Sequence, residues 1–222
     1  MQEYYFDEIE STQDYAKKIY LDNKRNFVVF SDKQTLGRGR NDHKWEAPSG
    51  GLWFSFDIDF FDAGSLFTLA IGVATREVLK EFYGSNVKLK WPNDLILDGK
   101  KAGGIICEKI NDRVIVGIGI NTNVKIINEP KAITFFNTTG LYIDNYKLMN
   151  SIINRCREVL TSRLAEVVEN FRNNMAYKGE KCFVTAINKV VKVLDINNKG
   201  FLVVETENEI KEVFAGEINV CI

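Results

Sequence analysis

The sequence predicts an α+β fold, a mixed β-sheet backed by helices, with a smaller all-strand unit at the carboxy terminus. Three observations predict it. Segments of helical spacing interrupt segments of strand spacing through residues 1–176. Several strands in that stretch follow one another across short turns, and such neighbours pair antiparallel, so the large sheet is expected to be antiparallel or mixed. Past Lys178-Gly179 every apolar segment is short and strand-like, which reads as a separate small barrel over 177–222.

Each element has its own signal. In "ESTQDYAKKIY", Ser11 or Thr12 can cap a helix, and Ser11 with Asp14 resembles a capping box. "NFVVFSD" is a short apolar strand. Leu52, Phe54, Phe56, Ile58 and Phe60 alternate with Trp53, Ser55, Asp57 and Asp59, the period of a half-buried strand. Leu66, Leu69, Val73, Val78 and Phe82 fall at helical spacing. "VKLKW" and "LILD" flank Pro92-Asn93-Asp94, and Asp98-Gly99 is a strong turn signal. "GGIICEKI" pairs naturally with "RVIVGIGIN" across Asn111-Asp112. From Asp144 to Met175 the pattern is helical, in one or two pieces. "KCFVTAI", "KVVKVLDI", "GFLVVETE" and "EIKEVFAGEINVCI" then supply four or five strands.

Composition excludes several classes. The 222 residues suffice for one large domain or for a large and a small one. A net charge of −1 gives no basic surface for general nucleic-acid binding. No segment approaches the ~18 uninterrupted apolar residues of a membrane helix. "QEYYFDEIE" after Met1 has neither the basic head nor the apolar region of a signal peptide, so the expected compartment is the cytoplasm. Cys107, Cys156, Cys182 and Cys221 show no paired spacing and are expected to be buried, reduced thiols.

Three stretches carry chemistry. In Gly37-Arg38-Gly39-Arg40 the glycines allow close backbone approach, and arginine's planar fork suits a carboxylate or phosphate. A solvated turn would look the same. The stretch is neither a Walker loop nor a dinucleotide fingerprint. In "KLKWPNDLILDGKKAGGIICE", Asn93 and Asp94 could be plain turn formers, but Lys101 near Gly103-Gly104 can present an ammonium to an anion at the backbone. In "VGIGINTN", Gly117 and Gly119 interrupt an apolar strand, where glycine often marks close approach. Asn121 ends that strand with an amide able to read a base edge. The single histidine, His43, has no GxSxG beside it, so nucleophilic triads find no support. Cations, amides and glycines around an aromatic stabilise phosphate charge without a protein nucleophile.

Together, "GRGR…W" from Gly37 to Trp45, "KWPND" from Lys90 to Asp94 with Lys101 beyond it, and "GIGIN" from Gly117 to Asn121 resemble the biotin protein ligases in order and spacing. "ESTQ" and Gln34 match as well, and the resemblance extends over nearly the whole chain. It implies the fold shared with class II aminoacyl-tRNA synthetases, followed by a Src-homology-3-like barrel. By the same resemblance Ser11, Thr12 and Gln13 line a biotin pocket, with Gln34 near the ureido and thiophane end. Gly37, Arg38, Gly39 and Arg40 form a loop over the ligand, Arg40 meeting the biotin carboxylate or the phosphate. Lys101 bridges carboxylate and α-phosphate, and the backbone at Gly104, Gly117 and Gly119 closes the pocket. Trp45 stacks on adenine. Arg40, His43, Lys90, Asn93, Asp94, Lys101, Asn121 and Ala132 belong to the ATP side, Asp94 through Mg²⁺.

The implied reaction suits this inventory. Biotin's carboxylate attacks ATP to give biotinyl-5′-AMP, and a lysine amine on a biotin carboxyl carrier protein then takes the biotin. Arg40 and Lys101 are the implied catalytic residues, and the loop shields the acyl-adenylate from water. Two departures stand out. His43 occupies a place where the family often has arginine, and "YYFDEIEST" begins with no winged helix ahead of it, so no DNA partner is expected. The resemblance leaves room for a homodimer. A lipoate or octanoate transferase is the nearest rival enzyme, but it lacks "GRGR…W" with "KWPND". A non-enzymatic ligand-binding module or a DNA-binding regulator is the rival from another class.

Overall fold

Ser11 separates the first strand from the first helix. In the computed structural model, which describes residues 1–60, 62–84, 86–207 and 209–220 (backbone only at Asp42 and Val220), β1 spans Gln2–Ile9 and α1 spans Thr12–Leu21. The Ser11 hydroxyl caps α1 by accepting from Asp14 N at 3.3 Å. α1 crosses over to β2, Phe27–Gln34, which lies parallel to β1. The sequence pattern does not announce β1. It is an edge strand, mostly solvent-exposed, so it shows no apolar alternation.

The remaining strands of the large sheet are β3 (Leu52–Asp59), β4 (Lys88–Lys90), β5 (Asp94–Leu97), β6 (Lys100–Ile110) and β7 (Arg113–Ile120). Their order is β1-β2-β3-β7-β6-β5-β4, and every pairing but β1–β2 is antiparallel. The turns are those expected. Asp98 and Gly99 both take positive φ, 47° and 74°, and Asn111 takes 52°.

Helices α2 (Leu66–Tyr83), α4 (Asn145–Ser162) and α5 (Val167–Asn173) join the core on one face, with a 3₁₀ turn at Leu164–Glu166 dividing the last two. The short α3, Phe135–Thr139, was not legible in the sequence. It is one turn, capped by Thr134 and stopped by Gly140 at φ 71°. On the opposite face α1 buries Ala16, Ile19 and Tyr20 against Phe27, Val29 and Ile115.

β3 departs from the half-buried expectation, because its polar face is covered too. Ser55 Oγ hydrogen-bonds with Thr12 Oγ1 at 3.0 Å, and Trp53 packs on Ala47 and Val124. Asp57 accepts from the backbone N–H groups of Asn26 and Phe27 at 2.9 and 2.7 Å and pairs with Arg113 at 2.6 Å. A buried carboxylate is tolerable with that many partners. Alternation in the sequence therefore separated apolar from polar faces, not core from solvent.

The second sheet contains β8 (Lys181–Val184), β9 (Lys189–Ile196), β10 (Leu202–Glu205), β11 (Ile210–Val213) and β12 (Ile218–Val220). All of it is antiparallel, in the order β11-β10-β9-β8-β12. Its inner residues, among them Cys182, Val184 and Ile218, share one core cluster with Leu69 and Trp91 of the larger unit. Trp91 Nε1 also donates to Gly200 O at 3.0 Å. Cys107 and Cys156 are free thiols, and burial pushes Cys107 up to about 12, far from thiolate chemistry. Cys221 lies outside the described residues. No helix among the described residues is long and apolar enough to cross a membrane.

Candidate active site

The amino end of α1, the loop after β2, the centres of β6 and β7 and the mouth of the second sheet enclose a cavity of about 880 Å³. Its floor is bare strand. Gly104 of β6 lies opposite Gly119 of β7. A Cβ at Gly119 would stand 2.9 Å from Trp45 Nε1, and one at Gly117 would stand 2.6 Å from Gln13 Oε1. Glycine at these points lets two side chains rest directly on the sheet backbone.

The loop is a small hairpin grown from β2. Trp45 N donates to Gly37 O at 2.8 Å, Gly39 N to His43 O at 2.7 Å and His43 N to Arg40 O at 3.1 Å. Its two arginines diverge. Arg38 pairs with Asp14 at 2.8 Å and Glu108 at 3.4 Å, tying the loop to α1 and β6. Arg40 donates to Asn93 Oδ1 at 3.2 Å and to Gly216 O at 3.3 Å, reaching the second sheet. Gly37, expected in the loop over the ligand, lies at the base of that hairpin and is buried, its Cβ position only 2.6 Å from Trp45 O. His43 is exposed at the rim, and what it visibly supplies is backbone hydrogen bonding.

On the far wall, Asp94 is buried between Lys90 and Lys101, each 2.6 Å from one of its oxygens. Burial alone would push this carboxyl up, but the Lys101 and Lys90 charges outweigh it and hold Asp94 below the usual carboxylate range. Lys101 Nζ also sits 5.1 Å over the Trp45 ring. That ring lies on the glycine floor, edge-on to Trp53. Asn93 Nδ2 donates to Ile105 O at 2.8 Å and Asn121 Nδ2 to Ile133 O at 3.0 Å. Ala132 bridges to Lys101 and completes this wall.

Ser11, Thr12, Gln13 and Gln34 form the opposite end. Gln34 Oε1 accepts from Thr12 N at 2.7 Å and from Thr12 Oγ1 at 3.1 Å. All the sequence-predicted residues except Gly37 thus line one cavity. Glu108, Ser55 and Asn219 contribute to the site or its support without having been foreseen. Glu108 had a signal, an acid inside the apolar run "GGIICEKI". Asn219 had none, because its place depends on how the second sheet docks.

Gln13 Oε1, Trp45 Nε1 and Asn121 Oδ1, on residues that line this cavity, are buried without a hydrogen-bond partner. Leaving such groups unpaired is costly, on the order of 1–3 kcal/mol each, so their place along the cavity lining suits a ligand's polar groups. With Arg40, Lys101 and Lys90 around them, these atoms define a site for a small anionic ligand mounted on a mixed sheet.

Comparison with known proteins agrees. The sequence model of the biotin/lipoate A/B protein ligase family matches residues 5–124, and the chain belongs to that family. It is 30% identical to the bifunctional ligase/repressor BirA of Bacillus subtilis (strain 168), over 96% of this chain and 72% of that protein. The biotin–[acetyl-CoA-carboxylase] ligase of Mycobacterium tuberculosis is 30% identical over 42% of this chain and 38% of its own length. The structure of the Aquifex aeolicus biotin protein ligase in complex with biotin and ATP superposes with a TM-score of 0.88, at 30% identity, covering 98% of this chain and 97% of that one.

Proposed function

We propose that the chain is a biotin protein ligase that activates biotin with ATP to biotinyl-5′-AMP and transfers it to a lysine of a biotin carboxyl carrier domain. The unpartnered buried atoms at the two ends of the cavity carry this reading, Trp45 Nε1 and Asn121 Oδ1 beside Lys101 and Gln13 Oε1 at the other end, since each suits one part of the two substrates. Gln13 and Gln34, with Ser11 and Thr12, take the ring of biotin, and the floor of Gly104, Gly117 and Gly119 admits it. Trp45, Asn121, Ala132, Lys90 and Asn93 take the nucleotide.

In the first half-reaction a carboxylate oxygen attacks the α-phosphorus and pyrophosphate leaves. Two anions must approach, so Lys101 and Arg40 lower the repulsion and stabilise the charge that develops. In the second, a carrier lysine amine attacks the acyl carbon, AMP departs and the amine proton is lost. Both nucleophiles belong to substrates. Arg40, spanning from Asn93 to Gly216, keeps the loop closed over the anhydride and water out.

A resident Mg²⁺ at Asp94 does not fit these residues. Both Asp94 oxygens are held by lysines, and no group of three or more His, Cys, Asp or Glu able to hold a metal occurs among the described residues. An ion arriving on the nucleotide phosphates needs no such cage. The second sheet supports a Src-homology-3-like barrel, and a division into 1–176 and 177–222 follows the texture of the chain. A net charge of −1 supports a ligase that does not bind DNA. The test is ATP–pyrophosphate exchange with biotin and lipoate run in parallel. Exchange with lipoate alone, or with neither, would overturn the proposal.

A further inference from the structure

Gln13 enters the cavity from the first turn of α1, and its amide is pinned from behind by two acceptors. Nε2 donates to Glu108 Oε2 at 2.7 Å and to Ile115 O at 3.2 Å. Glu108 is ionised there: burial pushes its carboxyl up, but hydrogen bonds from Lys17 and Gln13 and the charges of Lys17 and Arg38 outweigh that. Lys17 Nζ holds its other oxygen at 2.5 Å. An ionised carboxylate only accepts, so only the NH₂ end of Gln13 can face it. The carbonyl end is thereby turned over Gly117 of the cavity floor, where Oε1 is buried with no partner. Gln34 is set in the opposite sense. Thr12 donates twice to its Oε1, which leaves its NH₂ end to donate. One amide offers an acceptor to the ligand and the other a donor.

We propose that Glu108 is a positioning residue that fixes the Gln13 amide so that Oε1 accepts a ring N–H of the bound acid. It thereby selects a carboxylic acid bearing a cyclic urea over one of similar length whose ring lacks N–H groups, such as lipoate. This rests on the ligase reading above. An acceptor held rigid and buried penalises the ligand that leaves it unpaired, and the discrimination comes from that penalty. A loosely held glutamine would flip and present its NH₂ end instead. Ion pairing to Lys17 on the solvent side keeps Glu108 charged and so keeps the amide one way round.

The experiment measures KM and kcat for biotin-dependent pyrophosphate exchange in the full chain, with lipoate as the competing acid. The proteins are wild type, Glu108→Gln, Glu108→Asp, Gln13→Leu and Glu108→Gln/Gln13→Leu. Glu108→Gln frees the amide to present either end, and Glu108→Asp keeps the charge but falls short of it. Each should raise the biotin KM on the order of tenfold, the size of one buried hydrogen bond, with kcat affected far less and the preference over lipoate reduced. The double variant should be no worse than Gln13→Leu alone, because Glu108 acts through Gln13. An unchanged KM in either folded Glu108 variant, or an additive double variant, overturns the inference while leaving the ligase reading intact. Wild-type protein that shows no biotin-dependent exchange overturns both.

Discussion

Asp94 and Lys101 meet at 2.6 Å across the β5–β6 pair, and Lys90 closes on the other Asp94 oxygen at the same distance. One buried carboxylate therefore holds two ammonium groups at the edge of the cavity. Removing it leaves like charges facing each other. Asp94→Asn should cost about 3 kcal/mol at neutral pH, the lower end of the range for breaking a buried pair. That end applies because the Lys101 side chain is 36% exposed. The Asp94 carboxyl is depressed in the folded state, so its contribution is complete above the unfolded value of about 4 and is lost as pH falls from there through the folded value. Urea unfolding of wild type and Asp94→Asn should show a wide gap at pH 7 that narrows below about pH 4. A gap independent of pH would show that Asp94 stabilises by packing alone.

Lys101→Ala tests the catalytic assignment. Asp94 keeps Lys90, so the fold should survive. Adenylate formation should fall by about 10²-fold or more, the size of one lost transition-state donor. Near-normal pyrophosphate exchange in the folded variant would remove Lys101 from the chemistry.

Arg40→Gly cuts the loop from both Asn93 and Gly216. Biotinyl-AMP should then escape before transfer, and lysines of unrelated proteins in the same tube should become labelled. Labelling confined to the carrier, with the dissociation rate of the intermediate unchanged, would show that Arg40 does not retain it.

Gly117→Ala tests the bare floor. The added methyl would stand 2.6 Å from Gln13 Oε1 and 2.7 Å from Ile106 Cγ2, so Gln13 must withdraw from its place. The biotin KM should rise on the order of tenfold while ATP binding holds, because one buried hydrogen bond to biotin is lost. Equal loss for both substrates would mean that the methyl disturbs the sheet rather than the biotin end.

The local elements were legible in the residues alone wherever a short-range rule applies. Ser11 capping α1, Asp98-Gly99 and Asn111-Asp112 turning hairpins, and the shift to short strands past Lys178 all depend on neighbouring residues. The residue types of the site were legible for a related reason. Glycines in an apolar strand and arginines between glycines are locally unfavourable, so their presence points to a ligand or a close approach. What each of them touches was set by the packing of distant segments. Gly37 meets Trp45 through its backbone, Asp94 is held between two lysines, and Arg38 turns away from Arg40 toward Asp14 and Glu108. β1 and the buried polar face of β3 were hidden for the same reason as these contacts. Partners such as Asp57 with Arg113 or Gln13 with Glu108 are far apart in the chain, and burial of a charged or amide group is set by those distant partners.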